Sequence, residues 1–105
     1  MDKIVSVFRP WLDATPALDY VKTKLGWIMV YAEPLWVSAA HIPTEKDLLE
    51  SLVSNFAGQV DGDHNSREDA RLARKAMDPY LAQLTTEQVQ SVDRALELYA
   101  KLDDI

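Results

Sequence analysis

A chain of 105 residues and 11.9 kDa has room for one ordinary core, burying roughly 65% of its unfolded surface. Its composition, 48% apolar and 27% charged, excludes a disordered or fibrous polypeptide, and a formal net charge of −6 disfavours general binding to nucleic acid or anionic membranes. With no cysteine there are no disulfides, thiolate nucleophiles or cysteine-ligated zinc sites.

At the N-terminus the apolar run Ile4, Val5, Ser6, Val7 and Phe8 is shorter than the roughly 7–15 residues of a signal peptide, and no small-residue cleavage site follows. Thr15-Pro16 has the grammar of a helix start, and Leu18, Val21, Leu25, Ile28 and Ala32 continue a stripe at helical spacing. A helix through this region would carry Gly26 inside it at a cost of about 1 kcal/mol. The competing reading ends the helix at Gly26 and makes Trp27–Tyr31, rich in aromatic and β-branched residues, a buried strand. Glu33-Pro34 does not resemble a tight hairpin turn, and Leu35, Trp36, Ala39 and Ala40 suit another helical turn, so the helical reading takes precedence. The segment Leu25–Ile42 is interrupted by Glu33 and Pro34, whereas a membrane span needs about 20 apolar residues without a central charge, so it is expected in the core. Together with the absent cysteines, this points to the cytoplasm.

Three later stretches are clearer. Thr44 precedes Glu45-Lys46-Asp47 and then Leu48, Leu49, Leu52, Val53 and Phe56 on one helical face, with Gly58 placed for a left-handed cap. Ser66 opens the next helix, with Glu68 and Asp69 in its first turn and Ala70, Ala73 and Met77 facing inward; Asp78-Pro79 starts a further one. Thr85-Thr86-Glu87-Gln88 is a capping box followed by Val89, Val92, Leu96 and Tyr99 on a near-heptad stripe. The expected architecture is an all-α compact bundle of about five helices in one domain spanning residues 1–105. The alternative is α+β, with a short strand pair around Trp27–Ile42.

Chemistry-bearing patterns are sparse. Asp61, Asp63, Asn65 and Asp69 imitate alternating cation ligands, but Ser66 stands where an EF-hand loop turns on glycine and Leu72 where it supplies its bidentate glutamate. The loop therefore fails as a calcium site and reads as a solvated turn. His41 and His64 have no companion nucleophile motif, and His41 is expected to close a helix end or lie half-buried. Gly58 and Gly62 lack phosphate-loop spacing and a following lysine. No catalytic residue, metal ligand set or cofactor is expected, and the chain reads as a non-enzyme.

Two features point to association. Arg67, Arg71, Arg74 and Lys75 fall within about a 100° arc of one helix, either as an anion-facing stripe or as a solvated face neutralised by Glu68 and Asp78. Trp11, Trp27 and Trp36 crowd three indoles into the first 36 residues, and any left exposed are interface anchors. These seven residues are the candidate partner-binding set. The functional expectation is a small acidic protein that occludes a protein partner, as inhibitors, immunity proteins, antitoxins and anti-activators do, through an apolar, tryptophan-containing helical face. Its negative field would steer a basic or nucleic-acid-binding partner, and the same apolar face suits a homodimer. The alternative is a nucleic-acid-associated regulator using Arg67–Lys75.

Overall fold

A computed structural model describes residues 3–15, 17–60 and 65–104 of the chain. In order these form helices α1 (Lys3–Val7) and α2 (Arg9–Asp13) and strands β1 (Leu18–Thr23), β2 (Gly26–Glu33) and β3 (Trp36–Ile42). Helices α3 (Glu45–Gly58), α4 (Ser66–Ala76), α5 (Asp78–Leu81) and α6 (Thr86–Ala100) follow, with a closing 3-10 turn at Lys101–Asp104. The chain divides into two compact units, Met1–Leu48 and Leu49–Ile105.

The all-α expectation is overturned by the first unit, whose strands form an antiparallel sheet in the order β1-β2-β3. The α+β alternative fits, except that the sheet has three strands and begins at Leu18. Two turns explain the outcome. Thr23 pairs with Gly26 across Lys24-Leu25, and those two residues keep negative φ, so the reversal falls on Gly26 at φ 135°. A Cβ there would also collide with the Ile42 carbonyl oxygen, so position 26 demands glycine twice over. Glu33 pairs with Trp36 across Pro34-Leu35, which places Pro34 where its fixed φ suits the second residue of a turn. Glu33-Pro34 is thus a tight hairpin after all. The helical stripe Leu18, Val21, Leu25 and Ile28 is broken up among β1, the turn and β2.

Thr15 closes α2 instead of opening a helix: its amide and hydroxyl donate to the carbonyls of Leu12 and Trp11, and Pro16 lies outside the described residues. Ile4, Val5, Val7, Phe8 and Leu12 of α1 and α2, with Leu18, Tyr20, Trp27 and Ile42 of the sheet, are the buried apolar residues of this unit's helices and strands up to β3. An ion pair from Arg9 Nη1 to Asp19 Oδ1, 3.0 Å, ties α2 to β1.

The second unit follows its local grammar closely. Leu49, Leu52, Val53, Phe56 and Ala57 of α3 are buried, as are Ala70, Ala73 and Met77 near α4 and Val92, Ala95 and Leu96 of α6. Thr85 and Gln88 form the reciprocal capping box. Two caps differ from expectation. Asn65, not Ser66, caps α4 by accepting from the Glu68 amide, and Gly58 ends α3 without a left-handed φ, the last turn closing through Gln59 and Val60 amides. No helix among the described residues is long and apolar enough to cross a membrane.

Candidate functional site

Residues opposed across antiparallel strands share a sheet face, and neighbours along a strand alternate. The register therefore puts Leu18, Tyr20, Lys22, Trp27, Met29, Tyr31, Trp36, Ser38, Ala40 and Ile42 on one face; Leu18, Tyr20, Trp27 and Ile42 are buried, Met29, Tyr31 and Ser38 half-buried, and Lys22, Trp36 and Ala40 exposed. The opposite face carries Val21, Ile28, Val30, Ala32, Val37 and Ala39. An antiparallel sheet covered on one side ordinarily turns polar residues outward. Here six outward positions, at least one on each strand, are apolar, and they stay accessible: Val37 is 69% exposed, Val21 49%, and Ile28 and Val30 are half-buried. Leu35, at the β2–β3 turn, is 95% exposed. Asp19, Thr23 and His41 supply the polar groups of this face, at its margins.

The three tryptophans part company. Trp11 in α2 is half-buried. Trp27 is buried, with the Lys22 ammonium 3.9 Å from its ring centroid; its indole N–H has no hydrogen-bond partner among the described residues. Trp36 is 54% exposed and lies against Tyr31, ring centroids 6.0 Å apart. Trp36 alone of the three stands largely in solvent, and it does so on a strand, so the expected tryptophan-bearing helical face is corrected to a sheet.

The basic residues do lie on one helix, but their charge is largely answered locally. Arg71 makes a two-point hydrogen bond to Glu68, and that contact, reinforced by the charge of Glu68, raises the guanidinium above its usual pKa. Arg74 Nη1 reaches Asp78 Oδ1 at 2.9 Å and its Nε reaches Asp93 Oδ1 at 2.7 Å. Arg67 and Lys75 are exposed. Asp93 comes from α6, a partner that local spacing could not reveal.

His41 is neither a helix end nor half-buried: it is an exposed β3 residue with Nε2 3.2 Å from the Leu25 carbonyl oxygen. His64 and the pair Asp61/Asp63 lie outside the described residues, among which no group of three or more metal-ligating side chains occurs. The second unit has a shallow groove of about 210 Å³ lined by Glu50, Ser54, Ala95, Leu98, Tyr99 and Leu102. Its single carboxylate faces apolar and hydroxyl groups, an arrangement that offers no acid–base pair.

Sequence reasoning missed Val21, Ile28, Val30, Val37 and Ala39 as a group. The usable signal was the wholly apolar run Trp27–Ala32, too apolar for a strand with one wet face. No family model, curated protein or solved structure matches this chain.

Proposed function

We propose that this chain is a non-enzymatic protein-binding module of the cytoplasm that covers part of a partner protein with the outward face of its sheet. One observation carries the reading: the second face of the sheet is mostly apolar, and Val21, Ile28, Val30, Val37 and Ala39 remain accessible on it. A sheet face of this kind gains stability only when another surface removes it from water. Leu35 at the neighbouring turn adds an exposed apolar anchor, while the exposed Trp36 lies on the other sheet face beside Tyr31.

Charge supports the choice of partner. Residues 49–105 hold six bases against eleven acids, a net of −5, while residues 1–48 hold five against six, a net of −1. An acidic unit in the same chain as a nearly neutral contact unit favours encounter with a basic protein, including one whose own ligand is nucleic acid. Direct nucleic-acid binding by Arg67–Lys75 is less well supported, because Arg71 and Arg74 are already held by Glu68, Asp78 and Asp93.

The test is paired affinity capture from the native lysate with the wild-type chain and with Val21→Asp/Val37→Asp, which puts two carboxylates on the face. The expected result is a protein retained by the wild type and lost by the variant at unchanged circular dichroism, with affinity that falls as salt rises. Equal retention by both chains overturns the reading.

A further inference from the structure

The two edges of the sheet are built differently. β1 carries Asp19 and Lys22, with Asp19 held by Arg9, which are the charges that keep foreign strands away. β3 has no such guard. From Pro34 to Thr44 the chain has no formally charged residue, its longest such stretch, and both prolines lie outside the strand itself. Every residue from Trp36 to His41 is exposed except Ser38, which is half-buried, so the outer rim of the strand is open to another chain.

We propose that β3 pairs antiparallel with β3 of a second copy about a two-fold axis at Ala39, joining two three-stranded sheets into one of six strands. The register is set by the strand's own symmetry. Trp36 falls opposite Ile42 of the second copy, Val37 opposite His41, Ser38 opposite Ala40, and Ala39 opposite itself. Trp–Ile is an aromatic–β-branched cross-strand pair, and the three small central residues let the backbones close without obstruction. No charge meets a like charge, a condition few other parts of a chain of net −6 satisfy. Such an interface is isologous and self-limiting, since the pairing consumes the open edge of both copies. It also sets Ala39 of the two copies side by side with each Val37 beside the other copy's His41, so the outward faces of the two sheets join across the axis. The inference uses the strand edge and does not rest on which protein the face accepts.

Two measurements test it. Sedimentation from about 10 to about 500 μM, a range suited to an interface of less than standard size, is expected to show a mass rising toward twice 11.9 kDa. Ala39→Lys and Ala39→Glu, each placing like charges directly opposite at the axis, are expected to sediment as monomers, and their equimolar mixture to recover the dimer. Because the chain is free of cysteine, Ala39→Cys gives a second readout: directly opposed residues sit about 4.5–5.5 Å apart in Cα, within disulfide reach. Mild oxidation is expected to convert Ala39→Cys to a covalent dimer while Ala82→Cys, an exposed control in the helical unit, stays monomeric. A wild type that remains a monomer throughout, or a dimer that survives Ala39→Lys, overturns the proposal. If that monomer still loses its partner on Val21→Asp/Val37→Asp, the face reading stands without it.

Discussion

The two units solve the problem of apolar surface in opposite ways. Residues 49–105 direct most of their apolar stripes inward, leaving Leu98 and Leu102 exposed, close helix starts with side-chain caps at Asn65 and Thr85, and carry most of the net negative charge. Residues 1–48 are close to neutral and leave valines and a tryptophan in solvent on and around a sheet. On the proposed reading, the unit with surplus apolar surface supplies contact and the other supplies charge.

The comparison breaks first at the cores. Leu52→Ala removes a fully buried side chain of α3 and is expected to cost about 2–5 kcal/mol in urea unfolding; a loss under 1 kcal/mol would mean that the helical unit is far looser than its burial implies. Next comes the first hairpin, where Gly26→Ala meets both a positive φ and the Ile42 carbonyl and is expected to cost at least about 2 kcal/mol. Thr85→Ala deletes the hydroxyl of the capping box and should cost about 1 kcal/mol, read as a lower denaturant midpoint at unchanged slope. Val37→Thr sharpens the contrast from the other side. It exchanges an exposed methyl for a hydroxyl in a strand, so stability is expected to move by less than about 0.5 kcal/mol while binding of a dye such as ANS falls. Smallest of all is Glu68→Gln, which breaks a surface pair with Arg71 and is expected to leave the melting temperature unchanged.

Where the chain's signals were local, they were legible. Thr44 accepts the Asp47 amide at 3.1 Å, Thr85 and Gln88 cap each other, and Leu48, Leu49, Leu52, Val53 and Phe56 are buried together on their helix, all as their spacing indicates. Apart from the caps at Asn65 and Gly58, the misreading was confined to residues 15–42, and its cause is specific. Leu18, Val21, Leu25 and Ile28 satisfy a helical period by coincidence: Leu18 and Val21 lie on opposite faces of β1, Leu25 in the turn, and Ile28 in a β2 run so apolar that it sets no period. The candidate site shared that fate. Grouping Val21 with Val30 and Val37 requires knowing that Asp19 pairs with Val30 and Ala32 with Val37.

The amino-acid order alone therefore determined the helical half, the acidity and the near-neutral, indole-rich first half, since caps, helical stripes and charge act within a turn or two of chain. Tertiary structure decided which residues of that first half became strands, which indole faced solvent, and that Arg74 would answer to Asp93. Those outcomes depend on pairings between residues as far as 19 apart in the chain, and in the sheet the free energy of closing it outweighs local helix preference.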